Sequence, residues 1–138
     1  MSDAVATRPV PKPNTFVDTR PFWEGAKRKE LWLQYCRDTG RFQHYPRPVS
    51  IYTGSRNLEW RQVTGKGVVY AATVIRIPGT GTEGRLPLNV ATIDLDEGAR
   101  LLGNITNAEP GAVQIGARVD LDWERLADDI WYPAFRLV

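Results

Sequence analysis

The chain has one cysteine, one histidine and one methionine in 138 residues. A single cysteine closes no internal disulfide, which fits a reducing compartment. Cys36 and His44 are then the only pair from which Cys–His nucleophilic catalysis could be built. Nothing in their spacing supplies the third residue that orients the imidazole. The chain therefore reads as non-catalytic, with Cys36 a relic ligand and His44 a residue on a hairpin surface. No run approaches the roughly 18 apolar residues of a membrane span. Residues 1–14 are polar and carry Pro9, Pro11 and Pro13 rather than the apolar core of a signal peptide. The expectation is a soluble, cytoplasmic protein with a flexible arm over residues 1–17.

Phosphate-loop and acid–base signals are also missing. The Gly79–Gly84 stretch has no Gly-Lys-Ser/Thr ending and no helix after it, so it reads as a loop. Asp94 with Asp96, and Asp120 with Asp122 and Glu124, occupy the outward positions of alternating runs, where carboxylates are solvated rather than paired for proton transfer. Asp128-Asp129 lacks the spaced oxygen ligands of a calcium loop. What is present is an asymmetry of charge. Residues 1–70 carry 12 Lys or Arg against 6 Asp or Glu, whereas residues 71–138 carry 6 against 10. The basic half suits an anionic ligand, or is the solvated face of a helix at Lys27, Arg28 and Lys29.

Counting from Cys36 with the spacing of a four-cysteine zinc ribbon, the ligands would fall at Cys36, Thr39, Ser50 and Thr53. Three of these are neutral hydroxyls, which do not replace thiolates around zinc. The sequence thus argues against a metal and implies no cofactor. The packaging of a ribbon remains, in Gly40, Gly54 and the intervening Tyr45-Pro46-Arg47-Pro48. Burial of Tyr35, Phe42, Tyr45, Ile51 and Tyr52 is the expected substitute for the metal cross-link.

Asp18 or Thr19 is placed to cap a short helix over residues 20–29, with Pro21 in its first turn. Leu31, Leu33 and Tyr35 then alternate with Trp32 and Gln34 in a strand pattern. Strand-like runs follow at residues 58–63, 68–77, 88–95, 100–105, 117–124 and 130–137, separated by Gly-rich turns. This predicts a mainly β protein: residues 18–56 as a helix plus degenerate ribbon, and residues 57–138 as a small closed β structure. A five-stranded OB-fold barrel is the economical choice, although an SH3-like barrel or small sandwich gives much the same pattern.

Several pieces in order carry a closer likeness: Phe22-Trp23-Glu24-Gly25, Leu33-Gln34-Tyr35-Cys36, Pro46-Arg47-Pro48-Val49, Leu58-Glu59-Trp60, Gly65-Lys66-Gly67-Val68-Val69-Tyr70 and Leu95-Asp96-Glu97-Gly98. The chain resembles the rubredoxin-like zinc-ribbon plus OB-fold proteins of acyl-CoA metabolism. That resemblance implies an accessory subunit that binds a thiolase-like or hydratase-like enzyme and helps to hold an acyl-CoA, the partner supplying the nucleophile. Intact members carry four cysteines, so the ribbon here is degenerate.

Arg47, held between two prolines, offers a fork to a phosphate or carboxylate, or an ion pair tying ribbon to barrel. Trp23 and Trp32, on the appendage, are candidate partner contacts. Tyr45, Trp60 and Tyr70 complete the candidate ligand- or partner-binding set. Exposed aromatics also leave room for a homodimer of the isolated chain. The competing reading is a single-stranded nucleic-acid-binding OB protein. That needs a basic groove with stacking aromatics, whereas the strands after residue 70 carry net negative charge.

Overall fold

The computed structural model describes residue 13 and residues 15–79, 84–127 and 130–138. The expected arm, the tip of the 79–84 loop and Asp128-Asp129 lie largely outside these residues. One helix, α1 (Arg20–Lys27), precedes eight strands: β1 (Leu31–Cys36), β2 (Arg41–Gln43), β3 (Leu58–Val63), β4 (Gly67–Ile75), β5 (Leu88–Leu95), β6 (Arg100–Asn104), β7 (Arg118–Ala127) and β8 (Ile130–Leu137).

The helix starts with Thr19 at its N-cap position and Pro21 in its first turn. The Thr19 hydroxyl accepts from the Phe16 amide at 3.0 Å rather than from a helix amide, so it ties down the preceding turn instead of capping. The helix stops two residues short of its predicted end. Lys29 takes a left-handed conformation, φ 57°. The Glu30 amide then reaches back to the Gly25 carbonyl and the Lys29 amide to that of Ala26, the bond pair that closes a helix C-terminus. Phe22, Gly25 and Ala26 form the buried face.

Gly25 is what lets this helix sit down on β1. A Cβ there would lie 2.4 Å from Trp32 Cδ1 and 2.9 Å from the Glu30 carbonyl. Gly25→Ala gains about 1 kcal/mol of helix propensity, but the clash opposes it with overpacking of about 1–3 kcal/mol. The expected outcome is no gain, and a net loss of up to about 2 kcal/mol in urea unfolding, against the propensity scale.

Three strands form an antiparallel sheet in the order β2-β1-β3, the ribbon, and five form the antiparallel OB sheet in the order β6-β5-β4-β7-β8. By sequence, residues 58–63 belong with the barrel. In the structure β3 pairs with β1 along its whole length, from Leu31↔Val63 to Cys36↔Leu58. Its alternating pattern specifies a strand but not the neighbour that it pairs with.

The barrel closes between the outer strands of its sheet. Ile105 bridges to Phe135 in parallel, and a Cβ on Gly103 would lie 2.9 Å from the Phe135 ring, so only glycine lets β6 approach β8 there. A single apolar cluster runs from Phe22, Leu31 and Leu33 through Val63 to Val69, Ile93, Val119 and Phe135. Ribbon and barrel therefore share one core, which fixes the helix and the ribbon loops against the barrel wall.

Candidate functional site

A groove of about 610 Å³ opens where the helix, the loop after β2 and the barrel meet. Its wall is a chain of rings drawn from distant parts of the sequence. Tyr45 lies 4.2 Å from His44, His44 stacks on Phe22 at 5.3 Å, Phe22 meets Trp23 edge-on at 4.9 Å, and Trp23 meets Tyr132 edge-on at 5.2 Å. Leu101 and Leu102 complete the apolar lining from β6. Burial raises the Tyr132 hydroxyl above its ordinary pKa, and burial lowers His44 to about 4, so the imidazole is neutral at physiological pH.

Asp18 lines the groove from the turn before the helix, and the cation on its rim is Arg47. Its position comes from a buried amide: Gln34 of β1 accepts from the Arg47 amide at 2.9 Å and donates to the Arg47 carbonyl at 2.8 Å. The backbone at residue 47 is thus clamped while the side chain stays exposed. Its guanidinium makes no ion pair or hydrogen bond with any described residue, so it does not tie ribbon to barrel. An arginine held this way is a ready partner for a phosphate or carboxylate.

Of the sequence-derived candidates, the groove gathers Trp23, Tyr45 and Arg47. Trp32 lies beneath Gly25 and donates its indole N–H to Glu30 at 2.9 Å. Trp60 sits on β3 opposite Gln34 and packs against the core. Tyr70, on β4, is covered by the Arg100 guanidinium at 3.6 Å from its ring centroid. These three do not face the groove. Sequence reasoning missed Phe22, Tyr132 and above all His44, which is packed against Phe22 rather than lying on a hairpin surface.

The acids of β7 are engaged in ion pairs and hydrogen bonds. Asp120 meets Lys66 at 3.1 Å and Arg136 at 3.5 Å, Asp122 accepts from the Thr106 hydroxyl at 2.6 Å, and Glu124 meets Arg85 at 3.4 Å and Asn104 at 2.6 Å. They stitch the barrel surface rather than forming a proton-transfer pair.

In the ribbon, three of the four would-be ligand positions meet by hydrogen bonds at Cys36, and the Thr53 side chain turns away. Cys36 is fully buried, and Ser50 Oγ donates to its Sγ at 3.1 Å. Hydrogen bonds from Ser50 and then Thr39 hold the Cys36 thiol below its ordinary pKa. Thr53 Oγ1 turns away to Asp38 at 3.1 Å. The expected aromatic substitute is only half present. Tyr35 meets Phe42 at 5.0 Å and the Tyr52 hydroxyl donates to the Phe42 carbonyl at 2.7 Å, but Tyr45 is 53% and Ile51 59% exposed. The cross-link is instead polar. Buried Gln43 donates to Gln34 at 2.8 Å and to the Val49 carbonyl at 3.2 Å, and accepts from the Ile51 amide at 2.8 Å.

Comparison with known proteins places this architecture. The chain is 32% identical over 131 residues to a "Probable enoyl-CoA hydratase alpha subunit" of Thermomonospora curvata, matching 95% of this chain and 40% of that protein. It is 31% identical to a "DUF35 domain-containing scaffold protein" of Pyrococcus furiosus, over 72% of this chain and 74% of the relative. The solved structure "Ltp2-ChsH2(DUF35) aldolase" superposes with a TM-score of 0.83 at 30% identity, covering 91% of this chain and 98% of that one. The chain belongs to the ChsH2/DUF35 family. Family models described as "ChsH2, rubredoxin-like zinc ribbon domain" and "ChsH2, C-terminal OB-fold domain" match residues 23–50 and 60–124 of this DUF35 protein. It spans 40% of the length of the curated hydratase alpha subunits that it matches.

The zinc that the family's ribbon implies does not fit these residues. One thiol and three hydroxyls are a poor donor set, and the direct Ser50–Cys36 hydrogen bond joins two of the four positions without a metal between them. Among the described residues, no three His, Cys, Asp or Glu side chains are grouped to hold a metal ion.

Proposed function

We propose that this chain is a non-catalytic scaffold subunit that binds a thiolase-like enzyme and contributes its groove to an acyl-CoA site. The observation that carries the reading is the pairing of an apolar, aromatic-walled groove with a clamped and unpaired arginine at its rim. Such a site suits a ligand with an apolar body and an anionic handle, which describes an acyl-CoA. The likeness to the Ltp2-ChsH2(DUF35) aldolase supports a thiolase-like partner, and the hydratase alpha subunits among the relatives support acyl-CoA chemistry. The sealed Cys36 is inaccessible to a substrate, and the partner enzyme supplies the nucleophile.

The test is co-expression with a thiolase-like enzyme of the same organism. The two are expected to elute together in size-exclusion chromatography at micromolar concentration, and the isolated chain to show no acyl-CoA turnover. Separate elution, or turnover by the pure chain that Cys36→Ala or His44→Ala abolishes, would overturn the reading.

A further inference from the structure

The tip of the ribbon carries charge that no described residue balances. Between Asp38 and Glu59 the sequence holds three arginines, Arg41, Arg47 and Arg56, and no acid. The two flanking carboxylates are already engaged: Asp38 accepts from Ser55, Asn57 and Thr53, and Glu59 pairs with Arg37 and Arg61. All three arginines are exposed, and none forms an ion pair with a described residue. In the turn after Ser50, Ile51 is 59% exposed.

This surface is held in place from behind. Gly54 takes a left-handed φ of 75°, its amide donates to the Ser50 carbonyl at 2.9 Å, and the Ser50 amide donates to the Ser55 carbonyl at 2.8 Å. Buried Gln43 accepts from the Ile51 amide at 2.8 Å, and the Arg41 guanidinium lies 4.1 Å from the centroid of the Tyr52 ring. An apolar side chain on a fixed turn among arginines has the anatomy of a protein interface, and a fixed anchor loses little freedom on binding.

Other occupants suit it less. A small ligand needs concave walls, and Arg41, Ile51 and Arg56 line neither the groove nor the smaller hollows beside β4 and Trp131. A single-stranded nucleic acid needs open ring faces for its bases, whereas Arg41 covers Tyr52 and Arg61 covers Tyr35 at 3.6 Å from the ring centroid. A second copy would set the same arginines against each other.

Resting on the reading of this chain as a scaffold for a thiolase-like enzyme, we propose that Arg41, Ile51 and Arg56 at the ribbon tip form the surface that docks that enzyme. Its complement is an acidic face with an apolar hollow for Ile51. Arg47, earlier in the same loop, links this surface to the groove.

The test measures binding of the full chain to the thiolase-like enzyme by biolayer interferometry in about 0.1 M and about 0.5 M salt. Wild-type affinity is expected to fall about tenfold or more over that range. Arg41→Glu and Arg56→Glu should each weaken binding about tenfold at the lower salt, and together about a hundredfold. Ile51→Ser should weaken it about tenfold at either salt. Arg76→Glu, just past the end of β4, changes the net charge as much as either single reversal and should stay within about threefold of the wild type. The substituted side chains are exposed, so the urea midpoints of the variants should stay close to that of the wild type. If the enzyme binds but the double reversal weakens it no more than Arg76→Glu does, the docking surface is wrong and the scaffold reading stands. If the wild type does not bind the enzyme, the scaffold reading falls and the docking surface with it. Oligonucleotide binding or self-association that the double reversal abolishes, while enzyme binding persists, would give the tip another occupant and overturn the proposal.

Discussion

Gln43→Ala is expected to lower the unfolding free energy by about 4 kcal/mol, whereas neither zinc nor EDTA should move the unfolding midpoint of the wild type. Gln43 is 2% exposed, and its amide makes three hydrogen bonds that bind β2, β1 and the loop between β2 and β3 to one another. Alanine strands the Ile51 amide and the Val49 carbonyl, each at about 1–3 kcal/mol, and leaves a cavity besides. In a metal-bearing ribbon that loop is held by thiolates, and chelation would unfold it. Here the same duty falls on Gln43, Gln34 and the Ser50–Cys36 contact. Urea unfolding of the two proteins, with and without chelator, measures both halves of the prediction. A urea midpoint that falls by about 0.5 M or more in EDTA would contradict it.

Acid should destabilise the protein between about pH 6.5 and about pH 4 through His44. Burial lowers His44 from 6.5 to about 4, so the unfolded chain takes up a proton at a pH where the folded chain does not. Stability from the neutral imidazole is therefore complete above about pH 6.5 and is lost as pH falls through the folded value near 4. The full difference is about 3.5 kcal/mol, at about 1.4 kcal/mol per pKa unit. Asp38 and Asp96 are held below their ordinary values, by Ser55 and Asn57 and by Arg118 respectively, and their contributions disappear at lower pH, below the His44 window. Unfolding measured at pH 7 and pH 4.5 should thus show a steep loss in the wild type. His44→Phe, which has nothing to protonate there, should be nearly flat over the same interval. A wild-type slope no steeper than that of the variant would show that His44 is not sealed.

The strands were legible because a period-two pattern is local: seven of the eight fall on the runs read from sequence, and the three-residue β2 is too short to show the pattern. The partners of those strands were not. β3 joins β1 in the ribbon although nothing within residues 58–63 names its neighbour. In β1 the alternation breaks after Leu33: Gln34 is buried and Tyr35 only partly covered, because the loop carrying Arg47 folds over that face and Gln34 holds it. A glutamine is normally a surface signal, so the polar cross-link of the ribbon was hidden in the residue type that tied it. The groove was hidden for a related reason. Its ring chain joins residues 22, 23, 44, 45 and 132, and no window of sequence contains them together. Arg47 was readable from its flanking prolines alone, whereas Trp60 and Tyr70 drew attention as aromatics whose surroundings only the tertiary fold decides.

The groove between helix, ribbon loop and barrel is the proposed meeting place of this scaffold, a thiolase-like enzyme and an acyl-CoA. Amide hydrogen exchange on the co-purified complex, with and without dodecanoyl-CoA, tests it most directly. Slowed exchange is expected over α1 and residues 44–48 on complex formation, with further slowing when the ligand is added. A stable complex in which those segments exchange as fast as in the isolated chain would contradict it.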